Sequence, residues 1–256
     1  MAELLLINKL NFGDTFKNFT ISFPKEKLIY FSGKNNCGKT TLLRTIDRKI
    51  YTKNNVFIND KEINEYDIRD YYNKVQVLIP NEIVFINNTV EEEIAFHNKD
   101  LVDEKELIKN LKLTKYKKTQ ISNLDTKNKI KLQLLLSLLK KPKLLLLDDI
   151  MSFFNKEEVE QLNKLFKDYI KKYKTTIIIT TINLENTINS DYLIIIDDNK
   201  IILEGKPLEI LGKDNIINKV GLDLPFMIDL TTKLKDYDLI KDIEIDKEKL
   251  INKLWK

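Results

Sequence analysis

Nine consecutive residues set the chemistry open to this chain: Gly33, Lys34, Asn35, Asn36, Cys37, Gly38, Lys39, Thr40 and Thr41. They follow an apolar stretch, Leu28 to Phe31, and precede Leu42 to Ile46, which reads as helix. Strand, glycine-rich turn and helix are the context a phosphate-binding loop requires. Backbone N–H groups of such a turn wrap a phosphate, and the helix N-terminus adds the positive end of its dipole. Lys39 then reaches the β- and γ-phosphates, and the Thr40 hydroxyl holds Mg2+. The expected ligand is ATP or GTP. Asp148 fits the same chemistry. It closes the apolar run Leu144 to Leu147, and a buried strand would carry it to the sheet edge beside the loop, where it can hold Mg2+ through water.

These groups need a sheet to position them. Leu4–Phe12 and Phe19–Phe23 read as strands, the second closed by Pro24. Val56–Ile58 and Val75–Ile79 are two more, and Pro80 stops the latter. Thr89 caps a helix through Phe96 whose first turn is acidic. Helical spacing resumes from Leu101 to Tyr116 and from Lys127 to Lys140, ended by Pro142. Leu144–Asp148 and Thr176–Thr180 are apolar enough to be buried parallel strands. Val159–Tyr173 is an amphipathic helix between them. Tyr192–Ile196 and Lys200–Glu204 flank the turn Asp197-Asp198-Asn199 and read as a hairpin. Pro207 to Lys256 is helical in pattern and charged. The alternation predicts an α/β fold: a phosphate-loop core with a mostly parallel sheet, antiparallel N-terminal strands, an inserted helical subdomain over about 80–141, and a C-terminal helical extension over 226–256.

Composition narrows the classes further. The chain has 256 residues, enough for one domain with an appended lobe. Its net charge of +4 is mild and dispersed, which argues for solvated faces and against a nucleic-acid surface. Cys37 is the only cysteine, so an internal disulfide is excluded and a reducing cytoplasm is expected. Met1 to Ile7 lacks the basic and cleavage features of a signal peptide, and no run approaches the roughly 18 apolar residues that suggest a membrane span. Membrane association must therefore go through a partner.

Four blocks in order resemble the ATPase subunits of ABC transporters, and more narrowly the ATP-binding subunits of energy-coupling factor transporters. They are the phosphate loop, Thr89–Phe96, Pro142–Asp149 and Gly221–Phe226. The resemblance covers nearly the whole chain and implies an ATPase domain over 1–225, peripheral to the cytoplasmic face of a membrane. It implies as partners a second ATPase subunit, a transmembrane scaffold and a substrate-capture membrane protein, with uptake of a vitamin or metal ion as the outcome. In the family the groove near the Q-loop receives the scaffold, which makes Ile79–Ile86 and Thr89–Phe96 the docking candidates.

The same resemblance exposes departures. Counted without gaps, the signature loop falls on Leu124-Asp125-Thr126-Lys127-Asn128, without the family's serine or glycines. Asp125 would set a carboxylate against a partner's γ-phosphate, with Lys127 as a compensating charge, or else Asp125 and Thr126 cap the following helix. The Q-loop glutamine falls near Ile79 or Pro80, and Gln76 lies too early in its strand to serve. The general-base position carries Asp149, one methylene shorter than glutamate, so its carboxylate falls about 1.5 Å short. Ile150–Asn155 replaces the usual D-loop residues, and the switch histidine maps to Thr181. His97, the only histidine, is expected at the surface. The adenine-stacking position falls near Asp14. Phe12 and Phe16 are the neighbouring aromatics, with a core role expected for each. Cys37 replaces a serine and is expected to pack rather than react, while Asn36 replaces a glycine and tolerates left-handed backbone. Binding with weakened hydrolysis is the expectation. A non-transport ABC protein using ATP binding as a switch is the alternative, and a small-molecule kinase would explain only the phosphate loop.

Overall fold

The structure is a computed structural model that describes residues 3–97 and 104–255. Its centre is a six-stranded sheet. In chain order the elements are β1 (Glu3–Phe12), β2 (Phe16–Pro24), β3 (Leu28–Ser32), α1 (Lys39–Ile46), β4 (Val56–Ile58), β5 (Lys61–Glu62), α2 (Ile68–Lys74) and β6 (Val75–Leu78). Next come α3 (Val90–His97), α4 (Glu104–Asn110), α5 (Thr126–Leu139), β7 (Leu144–Asp148), α6 (Lys156–Tyr173), β8 (Thr176–Thr181), β9 (Tyr192–Asp197) and β10 (Lys200–Gly205). The chain continues through α7 (Pro207–Leu211), α8 (Asp214–Val220), α9 (Phe226–Asp236) and α10 (Lys247–Leu254).

The central sheet runs β10-β9-β3-β8-β7-β6, and only the β10–β9 hairpin is antiparallel. Its strands are apolar on both faces because both faces are covered. Leu28, Tyr30, Leu145, Leu147, Ile177 and Ile179 pack toward α5 and α6. Their alternates Ile29, Phe31, Leu144, Leu146 and Ile178 pack toward α1 and the second sheet. That second sheet, β2-β1-β4-β5, is antiparallel throughout. A buried hydrogen bond from the Tyr30 hydroxyl to Asn163 Oδ1 (2.8 Å) ties β3 to α6. The Asp198 and Asn199 backbones take positive φ values of 42° and 61°, which a tight hairpin turn of this hand requires.

Two helical expectations change in detail. The run expected from Leu101 to Tyr116 includes residues outside the described ones. Its described part is α4 followed by a 3₁₀ turn at Thr114–Tyr116, because Lys112 adopts a left-handed backbone (φ 58°). The C-terminal stretch resolves into four short helices. Gly221 ends α8 at φ 69°, and Pro225 precedes α9. The helix α2 carries no strong periodic signal and was not expected from the sequence. It is started by Asp67, whose carboxylate accepts from the Arg69 and Asp70 amides.

Candidate nucleotide site

The phosphate loop spans the gap between β3 and α1. Gly38 stands at the N-cap of α1 with φ 97°, and no side chain caps that helix end. Its first amides therefore have no intrahelical acceptor. A Cβ on Gly38 would meet the Phe16 ring at 2.6 Å, and one on Gly33 would meet the Ile196 carbonyl at 2.6 Å. Both glycines are thus demanded by close packing beneath the loop, and Gly38 also by its left-handed backbone. Asn36 adopts φ 65°, the left-handed geometry expected of it. Cys37 is half-buried and packs against the second-sheet core. The Lys39 ammonium lies across the loop, donating to the carbonyls of Gly33 (2.6 Å) and Lys34 (2.7 Å) and lying 3.5 Å from Cys37 Sγ.

Asp148 and Thr40 meet as their positions require. The Thr40 hydroxyl donates to Asp148 Oδ2 at 2.7 Å, although the two are 108 positions apart. The other carboxylate oxygen accepts from the Thr180 hydroxyl at 2.6 Å, and Thr180 Oγ1 in turn accepts the Asp149 amide at 2.9 Å. A hydroxyl and a carboxylate converging beside a phosphate loop suit a hard, oxygen-seeking ion. Among the described residues no group of three or more His, Cys, Asp or Glu side chains could hold a metal. Mg2+ is ordinarily held by one or two protein oxygens, with phosphates and water completing its shell. Thr180 was missed from the sequence. The signal was available in register: β7 and β8 are parallel, and Asp148 pairs with Thr180.

The Asp149 backbone is left-handed (φ 46°) where β7 turns into the 3₁₀ segment Ile150–Phe153. Burial pushes its carboxyl above the ordinary value. The charge of Asp148 adds to the rise, while Lys39 and a hydrogen bond from Ser152 oppose it. Asp149 therefore sits within electrostatic reach of the loop lysine.

At the other hydrolytic positions the structure brings no substitute group into place. Ile79 is buried, and Pro80 opens a 3₁₀ turn. Gln76 is buried within β6, its amide turned back to the Tyr72 and Val75 carbonyls, a structural role as expected. Thr181, expected at the switch position, is a buried strand residue whose hydroxyl closes a local turn with Asn183. The first residue beyond the strand is Ile182, which is exposed. His97 corrects its expectation. It is only partly exposed, and its Nε2 lies 3.2 Å from Oε1 of the buried Glu93.

The signature segment is organised inward. Leu124 is buried. Asp125 caps α5, accepting the Asn128 amide at 2.7 Å. Of the two roles open to Asp125, the cap is the one observed. Lys127 reaches both oxygens of Glu158 at 3.2 Å, and the buried Lys131 reaches the same carboxylate at 3.3 Å.

The two aromatics near the adenine position separate. Phe16 is fully buried against Gly38 and fulfils its expected core role. Phe12 does not: it is 40% exposed, opposite Phe16 across the β1–β2 pair.

Comparison with known proteins agrees with this architecture. The family model described as ABC transporter matches residues 16–152. An energy-coupling factor transporter ATP-binding protein EcfA1 of Ligilactobacillus salivarius is 30% identical, over 82% of this chain and 78% of the relative. Its counterpart of the same name in Mycoplasma mobile is 27% identical, over 100% of this chain and 97% of the relative. The structure of cbiO1 from Clostridium perfringens, part of the ABC transporter complex cbiONQ, superposes with a TM-score of 0.72 at 18% identity, over 92% of this chain and 100% of that one. A bacterial Atm1-family ABC exporter with ATP bound superposes at 0.75 and 15% identity, over 86% of this chain and 42% of that one. With the matched segment spanning the phosphate loop, Asp148 and everything between, the chain belongs to the ABC transporter family, as an ABC ATPase whose relatives are the ATP-binding proteins of energy-coupling factor transporters.

Proposed function

We propose that this chain is an ATP-binding subunit of an energy-coupling factor importer, peripheral to the cytoplasmic face of the membrane. It pairs with a second ABC ATPase subunit and docks on a transmembrane scaffold that also holds a substrate-capture protein. ATP binding and hydrolysis in the pair drive uptake of a vitamin or metal ion. The observation that carries the reading is the junction of Lys39, Thr40 and Asp148 at the phosphate loop. Residues Gly33 to Thr41 wrap the phosphates, Thr40 and Asp148 hold Mg2+, and Asp149 is a weakened general base. Bound Mg2+ supplies charge neutralisation for the transferred phosphoryl group. The chain's own residues orient the nucleotide and hold it.

Surface chemistry supports the partners. Val84 and Ile86 are exposed and alternate with Ile83 and Phe85, which line a groove with Gln120, and Phe96 is exposed on α3; these side chains suit a scaffold segment. Phe226, Tyr237 and Trp255 are exposed on the C-terminal helices and their connection, a face suited to the second ATPase. No helix among the described residues is long and apolar enough to cross a membrane, so anchoring falls to the scaffold.

ABC ATPases work as dimers with two composite sites, so this chain's departures fall in both. One site has this chain's phosphate loop but Ile79 or Pro80, Asp149 and Thr181 at its hydrolytic positions. The other has the partner's catalytic set facing Leu124–Asn128. The second site does most of the turnover, because its water-activating groups are intact. The experiment is the ATPase rate of the assembled pair. Changing the partner's catalytic glutamate abolishes it, while Asp149→Asn leaves it largely in place. Equal loss from the two changes refutes the assignment.

A further inference from the structure

The segment joining β6 to α3 is held at both ends by carboxylates. At its start, Glu82 Oε1 accepts from Arg44 Nε (2.8 Å) and Nη2 (2.6 Å), and its Oε2 accepts from Lys49 Nζ (2.7 Å). Lys49 is steadied by Asp47 at 2.8 Å. At its end, Glu93 from α3 accepts the Ile86 amide (3.1 Å), the Asn87 amide (2.7 Å) and the Asn87 side chain (2.9 Å). Between these anchors stand the exposed apolar side chains of Val84 and Ile86. Arg44 lies on α1, the helix whose first residues are Lys39 and Thr40. Helix α1 is therefore mechanically continuous with the exposed stretch through one carboxylate.

The phosphate loop offers the Lys39 ammonium, at the start of α1, two kinds of acceptor. Here the Lys39 ammonium is held by the Gly33 and Lys34 carbonyls. A phosphate oxygen is a stronger, charged acceptor and competes for the same donor. Exchange of acceptors changes what the first turn of α1 is tied to, and Arg44 shares that helix. Ile79, at the start of the stretch, is buried and apolar and adds no polar link of its own.

We propose that Glu82 is a positioning residue that couples nucleotide occupancy at the phosphate loop to the posture of residues 79–86, through Arg44 and Lys49. The proposal rests on the nucleotide-binding reading above. Neither Glu82 nor Arg44 touches the nucleotide. Their effect is on the docking stretch.

The test uses the full chain with a tryptophan reporter, Val84→Trp in a Trp255→Phe background, and reads nucleotide occupancy separately by displacement of a fluorescent ATP analogue. In the reporter protein, Mg2+ and ATP change the tryptophan emission saturably. Glu82→Ala retains occupancy but loses at least about fivefold of the emission amplitude. Arg44→Ala loses amplitude as well, and the double variant loses no more than Glu82→Ala alone, because both remove one connection. Glu82→Gln, which keeps the shape, gives the same loss if the alanine variant folds poorly. Full amplitude in Glu82→Ala or Glu82→Gln at matched occupancy overturns the proposal. So does a reporter protein that binds ATP without an emission change. Absence of nucleotide binding in the reporter protein overturns the nucleotide-binding reading itself, and the separate occupancy measurement distinguishes that outcome.

Discussion

Lys127 Nζ lies 3.2 Å from both carboxylate oxygens of Glu158, which joins the signature segment to the first turn of α6. Glu158 also completes the capping box of that helix with Asn155. A lysine that could have faced a partner's phosphate is thus directed into its own fold. Lys131, nearly as buried as the core leucines around it, depends on the same carboxylate.

Removing Glu158 and removing Lys127 should therefore have unequal effects. Glu158→Ala leaves Lys131 buried without this partner and takes away half of a capping box, a combined cost of about 2–4 kcal/mol. Lys127→Ala gives up one half-exposed ion pair worth less than about 1 kcal/mol. Urea denaturation of the two variants compares them directly. In the assembled ATPase pair, Lys127→Ala should leave turnover within about twofold, since a factor of two is only ~0.4 kcal/mol. A large rate loss with intact stability would return Lys127 to a phosphate-facing role.

Thr180→Val tests the proposed Mg2+ role of Asp148 separately from nucleotide binding. The Thr180 hydroxyl donates to Asp148 and accepts the Asp149 amide, so this change keeps the shape of β8 while removing both bonds. A group that orients a metal ligand typically contributes about 10–100-fold in metal affinity. The expected result is a loss of that order in the Mg2+ concentration dependence of ATP binding, with little change in binding measured in EDTA. Isothermal titration at fixed ATP and varied Mg2+ reads the difference. Equal losses with and without the ion would mean that the loop itself had collapsed.

The loop and its carboxylate were legible in the sequence because both depend on local order. A strand, two glycines and a helix fix Lys39 and Thr40, and an apolar run fixes Asp148. The hairpin at Asp198 and Asn199 was legible for the same reason. What the sequence did not reveal depends on register and on long-range ion pairs. Thr180 is one threonine among several until β7 and β8 are aligned. Glu82 and Arg44 carry no motif, and their contact exists only once α1 and the β6–α3 segment are packed. His97 looked like a surface residue because the carboxylate that holds it, Glu93, reads as one more acid in a charged helix turn. Phe12 looked like core because strand alternation predicts faces, yet β1 is bulged between Leu10 and Phe12, and the face shifts there.

That shift gives Phe12 and Phe16 opposite mutational behaviour. Phe16→Ala removes a fully buried ring that supports Gly38 and should cost about 3–5 kcal/mol of stability. Phe12→Ala removes an exposed ring paired across the strands with Phe16 and should cost much less. If Phe12 is the adenine-stacking aromatic, its loss lowers ATP affinity by about 1–3 kcal/mol, the typical value for a base–aromatic stack. Competition between ATP and inorganic triphosphate identifies the cause. Stacking predicts weaker ATP binding and unchanged triphosphate binding in Phe12→Ala.

Asp149 offers a pH signature that needs no partner protein. Burial, reinforced by Asp148, raises its folded-state value above the ordinary 3.8. Below 3.8 the carboxyl is protonated in both the folded and unfolded chains and contributes no difference. As pH rises from there, the unfolded chain gives up the proton first, so the folded state is penalised progressively. The penalty becomes constant once pH exceeds the folded-state value. Asp149→Asn removes the charge and with it the penalty. Its melting temperature should match that of the parent near about pH 3 and exceed it at neutral pH, by about 2–4 °C for each kcal/mol relieved in a chain of this size. Thermal melts of both proteins across that range give the curve. A gain of the same size at every pH would assign the effect to packing or to the left-handed backbone at Asp149, which asparagine also tolerates, rather than to the charge.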